Sequence, residues 1–212
     1  MAGPAYRIET ERLLLRCWNP EDAPLLHTAV AESFEHLRPR IPWMKREPLS
    51  LEERVAVLRG MRSRFDRDED FSYAVFEKGA PTRVVGGVGL HLRSGPDSLE
   101  VGYWVHVAYT RRGFGAEMAA AASRVGLEVH GVSRIELNCV PDNVGSVALA
   151  RSLGFRHEAT LPRRFLAVLP DSPPKATEDK LVFSLYAADL ATARAGRYPV
   201  SAWDARGAKL LE

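Results

Sequence analysis

The stretch from Phe71 to Cys139 constrains the fold more than any other part of the sequence. Three runs, Phe71–Phe76, Val84–Leu92 and Ser98–Val107, are rich in β-branched and aromatic residues. They are separated by Gly79-Ala80-Pro81 and Gly95-Pro96-Asp97, turn chemistry that predicts an antiparallel meander. The third run passes through a short basic turn into a helical pattern from Gly113 to about Val129, with Phe114, Met118, Ala122, Val125 and Val129 on its inner side. The alternating strand Ile135-Leu137-Cys139 follows. The chain therefore reads as mixed α/β, with an antiparallel front half and a βαβ crossover behind it.

The flanks fill in the same plan. A strand at Leu13–Trp18 runs into Asn19-Pro20-Glu21-Asp22, an N-cap, a proline at the first helical position and two acids, which opens a helix through about Phe34. Leu25, Leu26, Ala29 and Val30 form its apolar face. After the proline-punctuated loop Arg38–Met44, Ser50-Leu51-Glu52-Glu53 has capping-box spacing and opens a second helix, with Leu51, Val55, Leu58 and Phe65 as its core stripe. Asp142 or Asn143 caps a further short helix ending at Gly154, and Phe155 begins another strand. Pro170–Lys175 reads as a loop and Leu181–Tyr186 as the last convincing strand. The order β-α-α-β-β-β-α-β-α-β-β gives about seven strands and about four helices in a single domain over 1–187. Residues 188–212 form a tail that is either docked or partly disordered.

Composition excludes several classes of function. At 212 residues one domain buries about 70% of the surface of its unfolded chain, so no disulfide or structural metal is needed. The 2 cysteines, Cys17 and Cys139, make neither a metal knuckle nor a disulfide framework, which fits a reducing cytoplasm. With 29 Lys+Arg against 27 Asp+Glu, the net charge of +2 does not argue for nucleic acid. The N-terminal apolar run is too short and too flanked by charge for a signal peptide or anchor, and no stretch approaches the roughly 20 apolar residues of a spanning helix.

The chemistry concentrates in two stretches. In the first, Val105 to Met118, a strand end leads through Arg111-Arg112-Gly113-Phe114-Gly115 into a helix. Such a junction presents unpaired backbone N–H groups at a positive helix end, where glycines admit a phosphate and the arginines add charge-assisted contacts. Plain turn chemistry accounts for a lone Gly-x-Gly equally well. Met118 stands where a dinucleotide fingerprint needs its third glycine, and no Gly-Lys-Ser/Thr makes a P-loop. The second stretch is Asn138 to Phe155, with Asn143-x-x-Ser146 and Leu153-Gly154-Phe155.

Together with Thr10-Glu11-Arg12-Leu13-Leu14-Leu15-Arg16 and Leu99-Glu100-Val101-Gly102-Tyr103, these stretches resemble the GNAT superfamily of N-acetyltransferases over roughly residues 8–188. The resemblance is specifically to the RimJ/RimL-like branch of ribosomal-protein alanine N-acetyltransferases. It implies a twisted mixed sheet whose strands around 98–107 and 135–139 splay apart, with acetyl-CoA in the cleft as co-substrate. By resemblance, the backbone at Arg111, Arg112, Gly113, Phe114, Gly115 and Ala116 holds the pyrophosphate. Val105 and Val107 meet the pantetheine through their main chains, and Asn143 bonds the cofactor near its thiol end. Two positions depart from the superfamily pattern: Thr110 stands where Gln or Arg is usual, and Ala150 where many members carry a thiolate-protonating Tyr. The branch then implies Ser146 as the substitute donor to the departing sulfur.

Amide formation from an amine and a thioester needs the amine deprotonated, an oxyanion stabilised and a thiolate released. At pH 7 deprotonation costs about 1 kcal/mol for an α-amine but about 4.6 kcal/mol for a lysine, so a modest base suffices for the first. Glu100 is that base, directly or through water, or else a surface strand carboxylate. Ser146 is a donor to sulfur, or else a small packing residue. Trp43, in the loop between the first two helices, is an acceptor-pocket wall or a hydrophobic plug, and Tyr103 is core or cleft wall. His91, His106 and His130 make no metal set and read as satisfied or surface histidines. The expected activity is acetyl transfer to a primary amine, foremost a protein or peptide N-terminus, by a monomer or homodimer. A small-molecule amine acceptor and a non-catalytic acyl-CoA-binding module are the alternatives.

Overall fold

The computed structural model describes residues 3–166 and 177–212. In chain order the elements are β1 (Arg7–Glu9), β2 (Leu13–Cys17), α1 (Ala23–Glu32), α2 (Phe34–Leu37), α3 (Leu51–Asp66), β3 (Asp70–Glu77), β4 (Ala80–His91) and β5 (Ser98–Val105). Then come α4 (Phe114–Glu128), β6 (Arg134–Cys139), α5 (Val144–Leu153), β7 (Arg156–Leu166), β8 (Thr177–Tyr186), β9 (Ser201–Trp203) and β10 (Lys209–Leu211). All ten strands join one sheet in the order β10-β9-β1-β2-β3-β4-β5-β6-β8-β7. The expected loop Pro170–Lys175 lies outside the described residues. Among those described, no helix is long and apolar enough to cross a membrane.

The sheet is mixed because, among the described residues, one pair alone, β5 with β6, runs parallel, and α4 supplies the crossover that such a pair requires. Three strands exceed the expected seven. β1, β9 and β10 have three residues each, too few to show alternation, and they exist by pairing with one another and with β2. Residues 201–203, within the segment read as a tail, thus lie beside β1, and Ala195, Val200 and Ala202 are buried in the main core.

Alternation along the strands divides the apolar side chains between two clusters. The larger places Met118, Ala119, Ala122 and Val125 of α4 against Leu15, Val75, Val88, Leu90 and Val101. The smaller places Leu26 and Val30 of α1 and Leu58 of α3 against Trp18, Ala74 and Phe76, with Trp104 at its margin. Leu51, expected in the α3 stripe, is exposed together with Glu52 and Glu53, so the first turn of that helix stays out of the core. The capping box that opens α3 is formed as expected, with Ser50 accepting from the Glu53 N–H and Glu53 from the Ser50 N–H.

β5 and β6 pair only from Ser98/Arg134 to Glu100/Glu136 and then part, which opens the cleft. On its other side β5 stays paired with β4 as far as Val105/Gly86. The His106 N–H donates to the Val85 carbonyl at 2.8 Å. The alternation of an antiparallel ladder then turns the backbone N–H and C=O of Tyr103 and Val105 away from β4 and toward the gap.

Candidate active site

The basic turn closes onto α4 as an anion cradle. Gly113 is the N-cap residue with φ +82°, a left-handed conformation that a side chain disfavours, and no side chain caps the helix. The first-turn N–H groups of Phe114, Gly115 and Ala116 are thus left for a ligand at the positive end of a 15-residue helix. Arg111 and Arg112 are exposed beside them. The Phe114 ring instead enters the core, with the Arg12 guanidinium 4.6 Å from its centroid. A Cβ on Gly115 would lie 3.3 Å from Val105 Cγ2 and 3.4 Å from Leu149 Cδ1, so this glycine lets α4 approach β5 and α5 closely.

A buried carboxylate fixes the turn from below. Glu117, 2% exposed, accepts from Thr10 Oγ1 at 2.5 Å, from the Arg12 N–H at 3.0 Å and from Arg12 Nε at 2.7 Å. Arg12 Nη1 continues to the Arg112 carbonyl at 3.0 Å. The Thr10-Glu11-Arg12 sequence therefore acts as a brace between β2 and the turn.

Val105 turns its backbone N–H and C=O toward the gap. Val107 does not: the strand ends at Val105, Val107 begins a 3-10 turn, and its N–H donates to Ser33 Oγ at 3.1 Å. Asn143 is the N-cap of α5, its side-chain oxygen accepting from the Ser146 N–H at 3.2 Å, which leaves its amide NH2 as the group for a ligand. Ser146 Oγ and Tyr103 Oη are 3.0 Å apart and share a hydrogen bond. Burial pushes the Tyr103 phenol up to about 12, so it stays protonated. Sequence separation hid this hydroxyl pair. Tyr103 stands with Ser146, on the α4 and α5 side of β5, and not on the Trp43 wall.

The opposite face of β5 carries a different chemistry. Glu100 lies beyond the bare positions Gly87, Gly89 and Gly102, which floor a cavity of about 750 Å3. Trp104 and Trp43 meet edge to face at 6.3 Å on one side of it, and Trp43, 38% exposed, lines its mouth. Burial pushes the Glu100 carboxyl up, but the hydrogen bond and charge of Arg93 (2.5 Å), the Asn138 amide (2.9 Å) and the charge of Lys180 outweigh it and hold the group below its ordinary value. Glu100 is a carboxylate at neutral pH. The loop over the cavity is fastened by a buried pair, Arg54 to Glu47, with two hydrogen bonds of 2.9 and 2.7 Å. Glu100, Tyr103, Asn143, Ser146 and Trp43 all line the one cavity, which spans both faces through the gap between β5 and β6.

The Acetyltransferase (GNAT) domain family model matches residues 12–156. No curated protein matches the chain. Among solved structures, a candidate ribosomal-protein-serine acetyltransferase of Vibrio cholerae is similar with a TM-score of 0.69 at 26% identity, over 87% of this chain and 99% of that one. The ribosomal-protein-S5-alanine acetyltransferase of Vibrio fischeri gives 0.74 at 20% identity, over 86% and 97%. RimJ of Mycobacterium smegmatis, in complex with CoA-disulfide, gives 0.73 at 23% identity, over 92% and 91%. The free N–H groups of the α4 turn, the unpaired backbone of β5 and the hydroxyl pair at the gap fit acetyl-CoA, the co-substrate that such enzymes use. The matched model covers more than half of the sequence and includes the turn, the gap and both candidate catalytic residues, so the chain belongs to the GNAT family of acetyltransferases.

Proposed function

We propose that the protein transfers the acetyl group of acetyl-CoA to the α-amine of a protein or peptide N-terminus, as a RimJ/RimL-like member of its family. The observation that carries this is the acceptor cavity. It is open to solvent and runs from Trp43 and Glu100 on one face, through the gap, to the hydroxyl pair on the other, with a total volume of about 750 Å3. That total includes the room for the thiol end of acetyl-CoA, and the acceptor part opens past the exposed Trp43 to solvent, which suits an amine whose chain continues out of the site. Two of the similar structures described above are also named for ribosomal proteins.

In this reading the turn at 111–116 and the backbone of Val105 bind the co-substrate, which supplies an activated acetyl thioester. Glu100 meets the acceptor ammonium and draws its proton, directly or through water. The neutral amine attacks the thioester carbon, the C–S bond breaks as the C–N bond is kept, and the Ser146–Tyr103 pair donates a hydrogen bond to the departing sulfur. An α-amine costs about 1 kcal/mol to deprotonate at pH 7, within reach of a carboxylate weakened by Arg93. A lysine would ask for several times more.

The test is a panel of acceptors at saturating acetyl-CoA, read as free thiol. It pairs peptides with free N-termini and their N-blocked, lysine-bearing counterparts with amino acids, polyamines and amine antibiotics. Turnover of free N-termini at least tenfold above the rest is the expected result. Preference for a small amine overturns the acceptor assignment, and stoichiometric binding with no turnover on any amine overturns catalysis.

A further inference from the structure

On the acceptor face, β3, β4 and β5 place Asp70, His91 and Glu100 side by side. Asp70 is directly opposite His91, and His91 directly opposite Glu100. Such cross-strand pairs point to one face, with Cβ atoms about 4.5–5.5 Å apart. His91 Nδ1 is 2.8 Å from Asp70 Oδ2, and Ser72 Oγ donates to the other Asp70 oxygen at 2.9 Å. A carboxylate on Nδ1 selects the tautomer with its proton there and leaves Nε2 as a lone pair. The imidazole leans over two glycines. A Cβ on Gly89 would lie 2.7 Å from its Nε2 and one on Gly102 3.4 Å from it. A side chain at position 89 would displace the ring, and with glycine there it lies along the cavity floor, whose lining it joins.

We propose that His91, oriented by Asp70, is the resting place of the proton that leaves the acceptor amine. The inference deepens the reading of the cavity as the acceptor site and rests on it. Glu100, with Arg93 on one oxygen and Asn138 on the other, draws the ammonium in but retains a proton poorly. An imidazole is the side chain that takes and returns protons near neutral pH. The first N–H proton passes to Nε2 and the neutral amine attacks. The second proton leaves nitrogen after the C–N bond forms and balances the one that the thiolate gains. His91 then returns its proton to water, so one proton is released per turnover. The charged groups around the ring are Asp70 from β3, Arg64 at the end of α3, Glu100 from β5, Arg93 just after β4 and Lys180 from β8. Asp70 is a positioning residue: burial opposes its charge, but the hydrogen bonds of His91 and Ser72 and the charge of Arg64 outweigh burial and hold its carboxyl below the ordinary value.

The experiment is the pH dependence of kcat/KM from pH 5.5 to 9.5 with the best acceptor found, for wild type, His91→Gln and Asp70→Asn. His91→Gln is expected to lose roughly 10- to 100-fold at pH 7, to recover most of that by pH 9.5 where an α-amine is already neutral, and to keep its acetyl-CoA affinity within about twofold. Asp70→Asn retains an acceptor for Nδ1, so it is expected to lose less and to shift the acidic limb rather than abolish it. A loss in His91→Gln that is constant across the range, or an unchanged profile, overturns the proposal. Because acetyl-CoA binding is measured on each variant, a misfolded protein is recognised, and the Asp70→Asn profile then decides alone. The peptide reading fails separately, through the identity of the best acceptor, and the comparison of profiles is the same for any amine.

Discussion

The brace between Thr10, Arg12 and Glu117 makes an asymmetric prediction. Replacing Arg12 by Met removes both guanidinium contacts from a carboxylate that is 3% exposed and leaves it with the Thr10 hydroxyl and one backbone N–H. Breaking a buried pair from this side costs about 3–5 kcal/mol, and the two bonds retained place the loss near the lower end. Replacing Glu117 by Gln leaves the guanidinium without its anion, but Arg12 is 44% exposed and water can solvate it, so the loss is that of charge assistance, about 1–2 kcal/mol. The double variant holds no stranded charge and should be less destabilised than the two single losses combined by 1 kcal/mol or more. Urea unfolding of the four proteins, at equal m-values, measures all three quantities. Because Arg12 also holds the Arg112 carbonyl, Arg12→Met should weaken acetyl-CoA binding several-fold in calorimetry. Equal losses in the single variants, or additivity in the double, would refute the claim that a buried carboxylate anchors the turn.

Three other expectations are simpler. Gly113→Ala forces a side chain into a left-handed conformation 3.3 Å from Arg12 Nη2, so it should cost about 1–2 kcal/mol in stability and also weaken acetyl-CoA affinity. Ser146→Ala should slow turnover roughly 10- to 150-fold with acetyl-CoA affinity nearly unchanged, and Tyr103→Phe should slow it comparably if the hydroxyls act as a pair; additive losses in the double variant would show that they act separately. Burial lowers the pKa of His130, whose ring packs 4.3 Å from Phe71, so the unfolded chain binds the proton more readily. Stability should therefore fall as pH drops below about 6.5, and His130→Phe should flatten that part of the curve measured by thermal melts.

The sequence shows the elements whose signals are local. The meander, the α4 turn with its Gly-x-Gly and the Asn143 cap each rest on a few consecutive residues, and all three stand where their chemistry predicts. What escaped depends on register. His91 reads as an ordinary histidine because its partner is 21 residues away across a pair that contains a bulge, and a shift of one residue would turn it to the other face. Glu117 stands in the first turn of α4, where a carboxylate suits the helix dipole, and only tertiary packing shows its partners to be Thr10 and Arg12. Val107 reads as strand because the apolar run continues through it, but Ser33 takes its N–H and the strand ends at Val105. Tyr103 and Ser146 are 43 residues apart, and nothing in either neighbourhood hints at the other.

The parting of β5 from β6 has a consequence for ligand design. In the proposed reading the acyl donor's groups lie on one side of the sheet and the acceptor's on the other, and the opening between them is a place left by a missing strand partner. Paired strands are about 4.8 Å apart and the slot has the room of one missing strand, so a molecule joining a CoA analogue to an amine must thread it with a linker no thicker than an extended chain. A covalent conjugate with an unbranched tether should gain the advantage of high effective concentration. One with a ring at the junction should bind no better than its stronger half, because the two ends could not be seated together.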